Sequence, residues 1–153
     1  MLTYRTTIEA AWVDYNGHLR DAFYALVFSY ATDALMDATG LDEAGRARTG
    51  HTLYTLEMHI GYVLETRLGE RVEVRTQLLD RDAKRLHILH SLHRQDDGQL
   101  LAASEQLLMN IDTRAARASA FDPAVSAGID RFFEGQGELA HLEHRGRRIG
   151  IRR

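Results

Sequence analysis

A chain of 153 residues with 44% hydrophobic and 27% charged side chains has the make-up of one ordinary globular domain, able to bury about two thirds of its unfolded surface. The absence of cysteine excludes disulfides and thiolate chemistry, and no apolar run approaches the ~20 residues of a membrane-spanning helix. A net charge of -3 gives no reason to expect nucleic acid as a partner, and MLTYRTTIEA lacks the basic start and apolar core of an export signal, so a cytoplasmic enzyme is expected.

Weak alternation and the β-branched Thr6, Thr7 and Ile8 predict a first strand from Thr3 to Trp12. A long helix follows from Ala22 to Thr39. Phe23, Tyr24, Leu26, Val27, Phe28 and Tyr30 make its first half apolar nearly all round, as in a buried helix, while Ser29, Asp33 and Asp37 fall on one line. Asp21 reads as its N-cap and Gly40 as its left-handed stop.

From His51 the pattern changes to strands, at His51 to Val63, Arg71 to Leu79, Leu86 to Arg94 and Leu100 to Asp112. A charged turn at Asp80 to Lys84 and the Asp96-Asp97-Gly98 turn predict an antiparallel meander. Asp122-Pro123 opens a second, shorter helix ending near Glu134, and the residues from Gly135 read as a peripheral basic tail, giving one domain over 1–134 and a tail over 135–153. One strand, one long helix and four further strands predict an α+β fold in which a curled antiparallel sheet wraps a central helix, the hot-dog architecture. Such a layer leaves one sheet face and the helix start partly open, so a homodimer or dimer of dimers is expected.

Chemistry concentrates in WVDYNGHLRDAFY, Trp12 to Tyr24. Asp14 stands three residues before Gly17-His18 and just ahead of the long helix. A helix start carries unpaired N–H groups and partial positive charge, so the backbone N–H groups of Asp21 and Ala22 are candidate donors to an oxyanion beside the Asp14 carboxylate. A plainer reading makes Asp14 a turn residue bonded to Asn16 or Gly17.

The ordered set Asp14, Gly17, His18, then a helix carrying Tyr24, resembles the hot-dog acyl-CoA thioesterases of the 4-hydroxybenzoyl-CoA thioesterase type. A narrower likeness runs from Trp12 to Pro123 through SYATDALMDATG, HTLYTLEMHIGYVLETRLGE and RLHILHSLHRQDDGQLLAASEQLLMNIDT. It is to the betainyl-CoA thioesterases of carnitine breakdown and the thioesterase domain fused to some L-carnitine dehydrogenases. The chain has Arg20 and Asp21 where the broad family often has two asparagines. The resemblance implies hydrolysis of a small polar or cationic acyl-CoA, with betainyl-CoA first. No separate cofactor is expected, coenzyme A being part of the substrate, and no metal.

In that reading Asp14 is the nucleophile or the base for water, His18 orients the loop or bonds Asp14, and Asn16 binds the thioester carbonyl or water. A trimethylammonium acyl group needs aromatic faces, for which Trp12, Tyr15, Tyr24, Phe28 and Tyr54 are candidates, most aromatics at helical spacing being core. Asp33 is a candidate to face the cation, or else a carboxylate paired elsewhere. Glu57 reads as an exposed strand residue. Alternation puts His87 and His93 on one strand face and His90 on the other, against a three-histidine metal site. The tail arginines Arg145, Arg147, Arg148, Arg152 and Arg153 suit coenzyme A phosphates or a mobile charged end. Two rival functions are a hydratase or dehydratase pairing His18 or His59 with Glu57, and a non-catalytic acyl-CoA-binding protein.

Overall fold

The computed structural model describes residues 1–151. Strand β1 (Leu2–Thr7) ends earlier than expected, because the chain turns through a 3-10 segment at Ala10–Trp12 that tucks Trp12 inward. Helix α1 (Asp21–Thr39) has Arg20, not Asp21, as its N-cap, while Gly40 takes the expected left-handed cap. A short helix α2 (Glu43–Thr49), missed in the sequence, is capped by Asp42 accepting the Gly45 N–H at 2.8 Å. Strands β2 (His51–Tyr62), β3 (Arg71–Arg81), β4 (Arg85–Arg94) and β5 (Leu100–Asp112) follow, then the two-residue β6 (Arg117–Ala118) and helix α3 (Pro123–Phe133), capped by Asp122. No helix among the described residues is long and apolar enough to cross a membrane.

The sheet is antiparallel with order β1-β3-β4-β5-β2, and β6 pairs with β5. Only β3, β4 and β5 form the expected meander. β2 departs from it: the chain carries it past α1 to the far edge, where one side pairs with β5 and the other has no strand beside it among the described residues.

Helix α1 lies against one face of this curled sheet. Its buried residues Tyr24, Val27, Phe28, Ala31, Thr32, Leu35, Met36 and Thr39 recur at threes and fours, a single stripe. The helix is therefore not sealed all round, as its apolar first half suggested; Ser29, Asp33 and Asp37 are exposed on its outer side. The N-terminal half packs Tyr24, Val27 and Phe28 against Val72, Val74, Leu92 and Ala102. The C-terminal half packs Leu35 and Met36 against Leu86, Ile88, Leu108 and the α3 residues Val125, Ile129 and Phe133. Gly128 allows α3 to lie this close, since a Cβ there would sit 2.3 Å from the Thr39 carbonyl oxygen.

The tail is not merely peripheral. It runs over the outer face of the sheet: Gln136 bonds the backbone N–H and carbonyl of Leu78 at 3.0 Å each, Ala140 exchanges two bonds with Gln77, and the Gly146 N–H donates to Glu105 at 2.6 Å. Arg152 and Arg153 lie outside the described residues.

Candidate active site

The loop before α1 is built by local bonds. Val13 and Leu19 form an antiparallel bridge, the Asp14 N–H donates to the His18 carbonyl at 2.9 Å and the Gly17 N–H to the Asp14 carbonyl at 3.0 Å. Gly17 adopts φ 77°, a left-handed conformation that glycine takes without steric cost. The tightened loop points two backbone N–H groups at Asp14 Oδ1, from Asn16 at 2.8 Å and His18 at 3.0 Å. Oδ2 has no hydrogen-bond partner among the described residues. The His18 N–H, against some desolvation and joined by Asn16, holds the Asp14 carboxyl below the usual aspartate range. The turn foreseen as the plainer reading is thus present, and it leaves half of an ionised carboxylate unused.

A second segment closes on this loop. The Leu19 N–H donates to the Thr66 carbonyl at 2.9 Å, the Leu68 N–H to the Gly17 carbonyl at 3.0 Å, and His18 bridges to Arg67. This brings Glu65 within 3.3 Å of the His18 ring at Nε2, without the alignment of a hydrogen bond. His18 therefore touches Asp14 through its backbone while its ring faces Glu65, which also pairs with Arg67 at 3.0 Å.

At the helix start, the Ala22 N–H is already taken by its neighbour's Asp21 Oδ1 at 2.8 Å, so it is not the free donor expected. The Phe23 N–H donates to the Arg20 carbonyl at 3.0 Å. The Asp21 N–H has no acceptor among the described residues.

Beside the helix start runs a groove of about 270 Å³, lined by Leu19, Asp21, Tyr24, Tyr62, Val63, Leu64 and Glu65. Tyr24 is buried and meets Tyr62 edge to face, ring centres 5.1 Å apart, and the Tyr62 hydroxyl donates to the Asp21 carbonyl at 3.2 Å. Burial pushes both phenols up, so both rings stay neutral at working pH. Tyr62 and Glu65 escaped the sequence reading. Their only signal was membership of the run HTLYTLEMHIGYVLETRLGE, about forty residues from the loop they join.

The other candidates do not line this groove. Trp12 is buried and stacked on Phe23, Phe28 is fully buried and stacked on the His90 ring, and Tyr15 stands exposed on the loop. Asp33 is exposed, twelve residues beyond Asp21 and so roughly 18 Å along the helix at 1.5 Å per residue, rather than set among apolar neighbours. Tyr54 is opposite Met109, whereas Tyr62 is opposite Ala102; an irregularity between Thr55 and Glu57 accompanies the change, and Tyr54 faces away from α1. Glu57 and His59 share that outer face, opposite Leu107 and Glu105. Among the described residues no group of three or more His, Asp or Glu side chains is arranged to hold a metal ion.

This fold and loop define a class. The sequence matches the thioesterase-like superfamily over residues 8–149, and the chain belongs to that superfamily. It is 50% identical over 151 residues to the betainyl-CoA thioesterase of Pseudomonas aeruginosa, covering 99% of this chain and 95% of that protein. It is 34% identical to the L-carnitine dehydrogenase/betainyl-CoA thioesterase of Rhizobium meliloti, over 97% of this chain and 30% of that longer protein. Among solved structures it superposes on a Staphylococcus aureus protein in complex with CoA, with TM-score 0.92, 31% identity and 99% and 96% of the two chains covered. It also superposes on a putative thioesterase of Pseudomonas putida, with TM-score 0.86, 45% identity and 100% and 97% covered.

Proposed function

We propose that this chain is a cytoplasmic acyl-CoA thioesterase that hydrolyses a small polar or cationic acyl-CoA, with betainyl-CoA converted to glycine betaine and CoA as the first-choice reaction. The observation that carries the reading is the Asp14 carboxylate, pinned through Oδ1 by two backbone N–H groups and open at Oδ2. The relative of 50% identity that bears the betainyl-CoA thioesterase name supports the substrate.

In the reaction, water oxygen or Asp14 Oδ2 attacks the thioester carbonyl. In the water route Asp14 takes the proton, which then passes to the leaving thiolate; in the direct route an acyl–Asp14 anhydride forms and water hydrolyses it, releasing the acid and restoring the free carboxylate. The Asp21 N–H, at the positive end of α1, stabilises the oxyanion, and its collapse expels the CoA thiolate, which is protonated on leaving. No separate cofactor enters this scheme. Asn16 contributes its backbone N–H to Asp14, and His18 holds the loop to the Glu65 segment.

The acting unit is proposed to be a homodimer, or a dimer of such dimers. Strand β2 is twelve residues long, has an edge unpaired among the described residues and exposes Tyr54, Leu56 and Met58, a surface that a second copy would cover by pairing edge to edge. A sedimentation mass equal to one chain at assay concentration contradicts this.

The test is thiol release from a panel of acyl-CoA esters by wild type and Asp14→Asn. The asparagine oxygen still accepts both loop N–H groups, so the fold persists, while turnover falls by about two to four powers of ten. The acid limb of the wild-type profile lies below the ordinary aspartate range, because the His18 and Asn16 N–H groups favour the ionised form. An active Asp14→Asn enzyme removes Asp14 from the mechanism.

A further inference from the structure

We infer that the groove beside the start of α1 is the subsite for the cationic head of the acyl group, with the Tyr62 ring as the surface that reads its charge and Asp21 as the carboxylate that reinforces it. The inference rests on the proposed thioesterase activity and names residues of this chain for its substrate selectivity.

The groove's lining is unusual in sign. It carries two tyrosine rings, three aliphatic side chains and two carboxylates, and no lysine, arginine or histidine. A quaternary ammonium has no N–H to donate, so hydrogen-bond acceptors alone cannot hold it; the negative faces of aromatic rings and nearby carboxylates can. Tyr24 is buried, whereas Tyr62 is 55% exposed, so the accessible aromatic surface is that of Tyr62. Its ring is fixed by the edge-to-face contact with Tyr24 and by the hydroxyl bond to the Asp21 carbonyl, and is thus held in place before a ligand arrives.

The two carboxylates differ. Glu65 is shared with Arg67 and the His18 ring, which dilutes its pull on a ligand. The Asp21 carboxylate accepts one bond, at Oδ1 from the Ala22 N–H, and its other oxygen is unpartnered among the described residues. Asp21 is therefore the less compensated charge.

The position also fits the bond count of a betainyl thioester, in which one methylene separates the ammonium nitrogen from the reacting carbonyl. A cation subsite must then adjoin the reacting centre. Leu19 and Glu65 wall the groove and border the Asp14 loop, the first through the Val13 bridge and the second through His18. Asp21 belongs to both places, offering its backbone N–H to the carbonyl and its side chain to the cation.

The test compares kcat/KM for betainyl-CoA with that for its uncharged isostere, 3,3-dimethylbutanoyl-CoA, in wild type, Tyr62→Phe and Tyr62→Leu. Phenylalanine keeps the ring and should hold the charged-to-neutral ratio within about twofold, whereas leucine should lower it by about 5- to 30-fold. A ratio left unchanged by Tyr62→Leu overturns the subsite. Should that variant fail to fold, Asp21→Asn serves instead, with a fall in the same ratio expected and an unchanged ratio again decisive against it. A wild type that cleaves neither ester, or does not favour the cation, overturns the substrate reading itself; a cation-selective wild type matched by Tyr62→Leu overturns only the groove.

Discussion

The two faces of the sheet keep their polar groups by opposite means. On the inner face, under α1, His90 is fully buried, its ring stacked on Phe28 at 5.8 Å, with Thr32 Oγ1 3.1 Å from Nε2 and Thr76 Oγ1 2.8 Å from Nδ1. Desolvation pushes its pKa down to about 3, so the ring is neutral and the core holds no charge there. On the outer face of the same strand, His87 is partly exposed and bonds Glu105 at 2.8 Å, and the other Glu105 oxygen takes the Gly146 N–H of the tail. One face is sealed by apolar packing and satisfies its fully buried histidine with two hydroxyls; the other is strapped by hydrogen bonds to a segment of low apolar content. The lesson is that histidines three residues apart acquire different chemistry from the layer that covers them.

The largest expected effect tests the sealed face. Phe28→Ala removes a fully buried ring and the surface on which His90 stacks, and should lower unfolding free energy by about 3–5 kcal/mol in denaturant titration. An unchanged midpoint, with a changed KM instead, would return Phe28 to the list of substrate contacts. Next comes the pH dependence of stability. Folding depresses the His90 pKa from 6.5 to about 3, so below pH 6.5 the unfolded chain binds a proton that the folded chain refuses. Stability contributed by neutral His90 is therefore lost as pH falls from about 6.5 towards 3, by about 2 kcal/mol between pH 7 and pH 5.

His90→Leu should flatten that part of the curve, and Thr32 and Thr76 keep partners in the Phe28 carbonyl and Thr3. Equal slopes in the two proteins would mean that the ring charges without cost. The smallest effect belongs to the strapped face. Gln136→Ala deletes both bonds to the Leu78 backbone and should cost about 1–2 kcal/mol at most, read mainly as faster tryptic cleavage in the tail at Arg145 and Arg147. A loss as large as that of Phe28→Ala would make the outer face as much a core as the inner one.

Much of the architecture was legible where the governing bonds are short in sequence. α1 begins one residue before its predicted start and ends where predicted, β5 has its predicted bounds, and Asp122 caps α3 as the Asp-Pro pair suggested. The Asp14 loop is similar: its turn is closed by bonds spanning at most four residues, and the alternative reading of Asp14 already named one of them. Legibility failed where a side chain's fate depends on which face its element turns. Asp33 looked embedded because its sequence neighbours are apolar, yet the helix stripe passes it by. Phe28 looked available and is sealed, and Tyr54 is turned outward below the irregularity in β2.

The residues by themselves determined an α+β chain with one long helix, a strand-rich second half and an acidic loop ahead of the helix start, because periodicity, caps and turns are written in neighbouring residues. Only the tertiary structure decided that β2 crosses to the sheet edge, that the tail lies on the outer face, and that Tyr62 and Glu65 stand beside Asp21 and His18. The reason is physical: those contacts join segments some forty to sixty residues apart, and the burial that selects them is a property of the assembled layers that no local spacing encodes.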